Sequence, residues 1–169
     1  DYAHGNIPAG FPILTCGVDC QGDRVEFQVV AWGKDKRRAV VEYGVFDGHI
    51  SDEKCQEHLN GLLKQGFRNA YGRKIEIDLL AIDGNAYTED VWGWARKHPA
   101  GRVIMVRGVH PESAPALAAV KKERNKRGVL VRYSKLFYNF ASSVMKMGLD
   151  RNLKKHDPAE RGFVGFPRG

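Results

Sequence analysis

A mostly apolar stretch, Ile13-Leu14-Thr15-Cys16-Gly17-Val18-Asp19, ends in a carboxylate and predicts the first strand of a sheet. A glycine-containing turn from Gln21 to Arg24 follows it. Apolar and polar residues then alternate over 25–32, and another apolar-rich run covers 38–46, so each predicts a further strand. Because short turns join these strands, an antiparallel meander is the simplest arrangement.

Helices and strands alternate after the meander. Ser51 is suited to cap a helix that Gly66 ends, and Thr88 is suited to cap a second helix. Between them a strand is predicted over 75–83, and its continuously apolar second half is typical of a sheet centre. A short buried strand is expected over 102–106. The pattern predicts an α/β fold with a central mixed sheet, opened by three antiparallel strands and flanked by helices.

The segment over 108–127 contains proline and is strongly basic in its second half. Its cations are Lys121, Lys122, Arg124, Lys126 and Arg127. This composition favours a mobile or DNA-facing loop, with some helix around 117–120. A strand is expected over 129–133, followed by a helix over 136–149.

Length and composition narrow the class of protein. The 169 residues suit one domain. The 27 Lys and Arg against 20 Asp and Glu give a net charge of +7, which favours a polyanionic partner.

No apolar run reaches the length of a membrane helix, and the first residues lack a signal sequence, so a soluble intracellular protein is expected. The three cysteines, an odd number, favour reduced thiols in the cytosol. The glycines and prolines of 1–12 favour a lead-in or linker, and the chain resembles a piece of a longer protein.

Asp19 and Asp83 each end an apolar strand and lead into a glycine-containing turn. If the two strands are neighbours in one sheet, the two carboxylates meet at one edge and repel unless they share a cation or a proton. Oxygen ligands suit Mg²⁺ or Mn²⁺, and two such ions activate water and stabilise the leaving oxygen in phosphodiester cleavage. The alternative is that each aspartate only stabilises its own turn.

Other residues give weaker signals. Asp23 and Glu26 lie close to Asp19 in sequence, but strand alternation does not settle which face Glu26 takes. Glu57 is expected on a solvated helix face. Cys20 is expected to be an exposed thiol with no activating base. The histidines are scattered and show no zinc-binding spacing.

Positive charge along the approach to the two aspartates would bind DNA phosphates without sequence preference. The basic run over 121–127 is one candidate for this contact, and a merely solvated loop is the alternative. Arg107, just after the predicted strand over 102–106, is a second candidate and lies nearer the predicted site.

Several short blocks of sequence occur in a fixed order along the chain. They are Leu14-Thr15-Cys16-Gly17-Val18-Asp19-Cys20-Gln21-Gly22-Asp23-Arg24-Val25-Glu26 with Val30-Ala31-Trp32-Gly33, Ala81-Ile82-Asp83-Gly84-Asn85 with Thr88 and Val91-Trp92, Val106-Arg107-Gly108, Gly162-Phe163-Val164 and Phe166-Pro167. Through these blocks, from about Pro12 to its end, the chain resembles the C-terminal nuclease domain of phage large terminase subunits of the lambda-like GpA type. The order and spacing of these blocks make the resemblance specific. One departure lies over 138–143, where relatives tend to carry a small residue followed by Lys-Asp.

The resemblance implies a ribonuclease-H-like fold and metal-dependent cleavage of double-stranded viral DNA by a motor that packages it into an empty capsid. Asp19 matches the family's first-strand metal ligand and Asp83 the ligand that closes the fourth strand. The family's third carboxylate follows the Phe-Pro segment, so it is expected after Gly169. Residues 1–12 would then lead in from an upstream ATPase domain, and 13–169 would form a nuclease domain truncated at its C-terminal end.

The same resemblance implies the terminase small subunit and the capsid portal as partners, and the host cytoplasm as the location, transiently at the procapsid. Two alternatives stay open. The chain could be a non-catalytic DNA-binding or docking module of the same fold, because only two of three expected carboxylates are present. It could also be a resolvase-like or transposase-like nuclease, because one fold supports many reactions.

Overall fold

The computed structural model describes residues 2–109, 117–124, 127, 130–141 and 164–168. Its strands are β1 (Ile13–Cys20), β2 (Arg24–Trp32), β3 (Arg38–Asp47), β4 (Phe67–Arg68), β5 (Lys74–Ile75), β6 (Leu79–Asp83), β7 (Val103–Val109), β8 (Leu117–Arg124), β9 (Leu130–Ala141) and β10 (Val164–Gly165). Its helices are α1 (Glu53–Lys64), α2 (Thr88–Ala95) and a short 3₁₀ helix (Lys34–Lys36). Among these residues no helix is long and apolar enough to cross a membrane.

Within the described residues, eight strands form one mixed sheet in the order β10-β3-β2-β1-β6-β7-β9-β8, and β4 and β5 pair separately. The strands β1, β2 and β3 are antiparallel neighbours, as the sequence predicts. On the other side of β1, the strands β6, β7 and β9 follow in parallel, and β8 closes this edge antiparallel to β9. The predicted α/β fold with a mixed sheet is confirmed.

Successive residues of β1 face two different environments. Cys16 and Val18 are buried in the hydrophobic core, which also contains Trp94 of α2 and the buried residues of α1. Gly17 and Asp19, between and after them, are exposed. This alternation is the normal consequence of strand geometry. The side of the sheet that packs against the helices is called the core face here, and the side that carries Gly17 and Asp19 the outer face.

The predicted single strand over 75–83 is wrong, because the chain changes its pairing partner between β5 and β6. The backbone N–H of Asp78 donates to the carbonyl of Leu14 at 2.8 Å, and the Asp78 carboxylate accepts the N–H of Leu14 at 2.8 Å. Ile77 is buried in the core beside this clamp. The side chain of Asp78 thus takes the place of a regular strand contact.

Both predicted helix caps are wrong by one residue. The N-cap of α1 is Asp52 rather than Ser51, and its carboxylate accepts a backbone N–H from the preceding loop instead of one from the helix. The N-cap of α2 is Tyr87, and the hydroxyl of Thr88 donates to the carbonyl of Gly84 at 2.6 Å. In each case the side chain that was expected to cap has no bond to the first helical turn.

The predictions for the last third of the chain are partly wrong. Helix was expected around 117–120 and from Leu136 onward, yet 117–124 and 130–141 are strands. The strand β9 pairs with β7 from Met105 to Val109, so sheet pairing overrides the helical spacing of its apolar residues. The rest of the predicted helix, 142–149, lies outside the described residues.

The lead-in segment packs on the domain. Ile7 and Phe11 are buried in the core. The N–H of Gly5 donates to the carbonyl of Val41 at 2.8 Å, and the hydroxyl of Tyr2 donates to the carbonyl of Val40 at 2.7 Å. The irregular backbone that glycine and proline predict is therefore held by bonds to β3.

Candidate metal centre

The two predicted aspartates lie next to each other on the outer face. The parallel pairing of β1 and β6 places Val18 beside Ile82, so Asp19 and Asp83 occupy the next level of neighbouring strands. Backbones of paired strands are about 4.8 Å apart, and side chains at one level of a pair point to the same face. The sheet thus brings together the carboxylates that lie 64 positions apart in sequence.

The two carboxylates have different environments. Asp19 is exposed and accepts one long hydrogen bond, 3.4 Å, from the side-chain amide of Gln21. Asp83 is half-buried. Burial raises the pKa of Asp83, the negative charge of Asp19 raises it further, and the N–H of Asn85, at 2.8 Å from Oδ1, acts in the opposite direction. A cation bound between the two carboxylates would remove this cost.

The loop that follows Asp83 is firmly held. The N–H of Gly84 donates to the carbonyl of Val106 on β7 at 2.8 Å, and the Thr88 hydroxyl closes the loop onto the Gly84 carbonyl. The Asn85 N–H fixes one oxygen of the Asp83 carboxylate. Because these bonds orient the carboxylate before any ligand binds, the site needs little reorganisation to accept a cation.

Glu26 is a candidate that the sequence left undecided. In the antiparallel pair of β1 and β2 it lies directly opposite Asp19, and directly paired residues share a face, so Glu26 is on the outer face. Its carboxylate is 3.0 Å from the guanidinium of Arg24, which is also 3.1 Å from the carboxylate of Asp23. Glu26 is therefore placed beside the pair, but its described partner is a cation of its own strand.

The donor set of the site suits a hard divalent cation. Asp19 and Asp83 offer carboxylate oxygens, the ligands that Mg²⁺ and Mn²⁺ prefer. Within the described ranges, no group of three or more His, Cys, Asp or Glu side chains is close enough together to hold a metal ion. The described site thus provides two carboxylates, and its remaining ligands would come from water, substrate or other residues.

The cysteines next to the site are not metal ligands of this kind. Cys16 is buried, and the prediction of an exposed Cys20 is wrong because this residue also faces the core. Burial raises the pKa of the Cys20 thiol to about 12, and the charges of Asp19 and Asp83 contribute to the rise. The thiol is therefore protonated at neutral pH and unsuited to nucleophilic attack.

Four of the residues predicted to bind DNA lie in the other half of the sheet. Arg107 follows Val106, which pairs with Asp83, so it lies on β7 near the level of the site. Lys121, Lys122 and Arg124 lie on the edge strand β8, which β9 and β7 separate from β6. Arg127 is exposed, and Lys126 lies outside the described residues. Strand register places Arg107 near the level of the aspartates but on the opposite face of the sheet, because the preceding residue, Val106, shares the face of Asp83.

One smaller prediction for the helices, the solvated position of Glu57, is confirmed. Glu57 of α1 is exposed. Of the two tryptophans of α2, Trp94 is fully buried and donates to Asn60 at 2.9 Å, whereas Trp92 is half-buried. The helices thus contribute to the core and leave the outer face of the sheet to the carboxylates.

Tyr87 is a further residue of this edge, and no sequence pattern singles it out. It follows Asp83 by four positions, has a left-handed backbone with φ 56° and ψ 37°, and contacts the ring of His49. A left-handed conformation is uncommon for a residue other than glycine, and no sequence motif around Tyr87 predicts it. For Glu26 the missing information was strand register, which only the fold supplies.

The family model and the individual relatives that the chain matches are all terminase large subunits. The whole chain, residues 1–169, matches the family model described as "Terminase large subunit gpA, endonuclease domain". The chain is similar to the large terminase subunit of Enterobacteria phage P21, with 28% identity over 124 residues that cover 73% of this chain and 19% of that protein. It is 27% identical, with the same coverage, to the large terminase subunit of Escherichia phage lambda.

No solved structure matches the chain significantly. The chain spans about a fifth of the length of these two relatives. Its family model, in contrast, is matched over all 169 residues. The chain therefore belongs to the family of terminase large subunit gpA endonuclease domains.

Proposed function

We propose that this domain is a metal-dependent endonuclease that cuts double-stranded viral DNA during genome packaging. The observation that carries the proposal is the adjacency of Asp19 and Asp83 on parallel neighbouring strands, in a chain that belongs to an endonuclease family. The pKa of the Asp83 carboxyl is raised by burial and by the charge of Asp19, and carboxyl groups perturbed in this way are typical of ligand-binding and catalytic sites. A structural role in two separate turns would not require them to meet.

We further propose that the fold is ribonuclease-H-like. Support comes from the topology, in which a three-stranded antiparallel meander is followed by a parallel strand on the other side of β1. This connection brings the end of β6 beside the end of β1 and so joins the two aspartates. The fold class as such does not determine the reaction, which rests on the site.

In this mechanism Asp19 and Asp83 hold one or two Mg²⁺ or Mn²⁺ ions. Bound ions of this kind activate water and stabilise the leaving oxygen of a phosphodiester. The Asn85 N–H keeps the Asp83 carboxylate oriented, and the exposed Asp19 remains open to the substrate. The net charge of +7 attracts the DNA backbone. Among the predicted phosphate contacts, Arg107 lies nearest the level of the site, on the opposite face of the sheet.

The partners proposed for the whole protein follow from its relatives, which are large terminase subunits. We propose double-stranded DNA as the substrate, with the small terminase subunit and the capsid portal as protein partners, in the host cytoplasm. The domain would follow an ATPase domain in the full-length chain. A third carboxylate beyond Gly169 would complete the metal site.

The decisive experiment is cleavage of supercoiled plasmid by the 169-residue chain in Mn²⁺, Mg²⁺ or EDTA. We expect metal-dependent nicking that Asp19→Asn or Asp83→Asn each reduces by about a hundredfold or more, because each substitution removes a charged ligand. Asp23→Asn is the matched control, since its carboxylate lies in the adjacent turn and is 80% exposed. Equal cutting by the wild type and both site variants would overturn the proposal.

A second function is favoured by one observation, the presence of only two converging carboxylates among the described residues. A domain with an incomplete site could bind DNA or dock on the portal without cutting. If the 169-residue chain does not cut but a chain extended beyond Gly169 does, the metal site is completed there. If neither cuts and both bind DNA, the binding-module function is correct.

A further inference from the structure

Three loops meet at the edge of the sheet that carries the aspartates. They are the turn after Asp19 (residues 21–23), the loop between β3 and α1 (residues 48–52), and the loop after Asp83 (residues 84–87). The N–H of Gly48 donates to the carbonyl of Asp23 at 2.8 Å, which ties the second loop to the first. The third loop, which directly follows Asp83, needs a separate connection to the other two.

Tyr87 makes that connection. Its ring packs edge-on against the ring of His49, with centroids 4.4 Å apart and planes at 84°. Its hydroxyl oxygen lies 3.3 Å from the point that a Cβ on Gly22 would occupy, so a larger residue at position 22 would push this hydroxyl by a few tenths of an ångström. One side chain therefore contacts both the turn after Asp19 and the loop between β3 and α1.

The backbone of Tyr87 indicates that this contact is maintained at a cost. Its φ of 56° lies in the left-handed region, where a side chain is disfavoured and glycine is not. Such a conformation persists where the surroundings hold it in place, and it is concentrated near functional sites. Here the carbonyl of Tyr87 accepts the N–H of Val91 in the first turn of α2, which anchors the residue from the other side.

We propose that Tyr87 is a positioning residue that fixes the separation of the Asp19 and Asp83 carboxylates. It does so by packing its ring on His49, whose loop is tied to the turn after Asp19 by the bond from the Gly48 N–H to the Asp23 carbonyl. The inference rests on the proposed function, because it assumes that the two carboxylates bind a divalent cation together. Glycine at position 87 would relieve the backbone strain but would lose the contacts with His49 and Gly22. Tyrosine at this position therefore keeps the loops in contact at a cost in local stability.

The test is the affinity of the 169-residue chain for Mn²⁺, measured by calorimetry at a temperature where every variant is folded. We expect Tyr87→Gly to weaken Mn²⁺ binding by about tenfold, the size typical of residues that support metal ligands, while its melting temperature in EDTA is not lowered. Tyr87→Phe keeps the ring on His49 and should stay within about twofold. Tyr71→Gly is the matched control, because Tyr71 is 81% exposed in the separate β4–β5 turn.

A steric variant tests the same contact from its other side. Gly22→Ala places a Cβ against the Tyr87 hydroxyl and should weaken Mn²⁺ binding, whereas the double variant Gly22→Ala/Tyr87→Phe removes the hydroxyl and should restore it. If positions 22 and 87 acted independently, the effects of the two substitutions on the free energy of Mn²⁺ binding would add, and the double variant would not be rescued. Rescue in cleavage of supercoiled plasmid should follow the rescue in binding.

The outcomes separate this inference from the proposed function. If Asp19→Asn lowers Mn²⁺ affinity but Tyr87→Gly binds Mn²⁺ like the wild type, the positioning role is overturned and the metal site stands. If Asp19→Asn leaves Mn²⁺ affinity unchanged, the metal site itself is wrong, and the role of Tyr87 falls with it. Failure of the double variant to restore binding would also contradict the inference, because Gly22→Ala would then disturb the site without acting through Tyr87.

Discussion

The two faces of β1 are made from one strand of eight residues, yet they meet opposite requirements. On the core face, Cys16 and Val18 are almost without solvent contact and pack beneath the helices. On the outer face, Gly17 has no atom within 4 Å of the point where a Cβ would lie, and the charged Asp19 is exposed. The core face fixes the position of the strand, and the outer face carries the chemistry.

This separation has a physical consequence for the site. A shift of β1 by one residue would place Asp19 in the core and Val18 in solvent, so the apolar residues of the core face specify the register. The same register sets Asp19 beside Asp83 and opposite Glu26. The position of the carboxylates is therefore stabilised by residues that never contact them.

The largest expected effect is on the core face. Trp94→Ala removes a fully buried ring that also donates to Asn60, and we expect it to lower the free energy of unfolding by about 3–5 kcal/mol. Urea denaturation followed by circular dichroism measures the change. Trp92→Ala is the control on the same helix, and a loss as large as that of Trp94→Ala would contradict the assignment of these two residues to buried and half-buried positions.

The strands around the site could be predicted from the sequence because they depend on the local spacing of apolar residues. Apolar runs that end in Asp19 and Asp83 predicted two strands with a carboxylate at the end of each, and short turns predicted the meander. Their adjacency could be expected only conditionally, since it depends on which strands pair. The structure supplies that pairing through β1 and β6.

The features that could not be predicted depend on contacts distant in sequence. The break before β6 arises from the bonds between Asp78 and Leu14, 64 residues apart in the chain. The strand at Leu136 arises from pairing with β7, although the same apolar residues have helical spacing. The face of Glu26 follows from its partner Asp19. In each case tertiary pairing overrides or completes a local preference.

Threonine substitutions at the adjacent positions 17 and 18 test the two faces of β1 separately. Val18→Thr keeps the shape of the side chain but buries a hydroxyl in the core, and we expect it to cost about 1–3 kcal/mol of unfolding free energy. Urea denaturation with the same readout gives the value. An unchanged stability of Val18→Thr would mean that the core face at this position is not closed to water.

Gly17→Thr introduces the same residue one position earlier, and the expected effect has the opposite sign. The added side chain meets open space on the outer face, and replacing a strand glycine with a β-branched residue should stabilise the fold by about 0.5–1 kcal/mol. Urea denaturation is again the measurement. A destabilisation comparable to that of Val18→Thr would show that the outer face at Gly17 is covered rather than open.

The smallest expected effect concerns the charge of Asp83. Burial and the charge of Asp19 raise the pKa of this carboxyl in the folded state, so the folded protein holds its proton more tightly than the unfolded chain does. Stability therefore falls as the pH rises from the ordinary pKa of aspartate through the raised one, and the full cost is present at pH 7. Asp83→Asn removes the charge and keeps an oxygen that accepts the Asn85 N–H.

We expect Asp83→Asn to melt higher than the wild type at pH 7 in EDTA, by less than about 4 °C because solvent screens a half-buried charge. Differential scanning calorimetry at several pH values measures this. The advantage should disappear below the ordinary pKa of aspartate, where the wild-type carboxyl is also neutral, and it should shrink in Mn²⁺, which stabilises only the wild type by binding to it. A pH-independent advantage would instead indicate a packing effect, and an advantage unaffected by Mn²⁺ would mean that the charge of Asp83 has no cation to balance it.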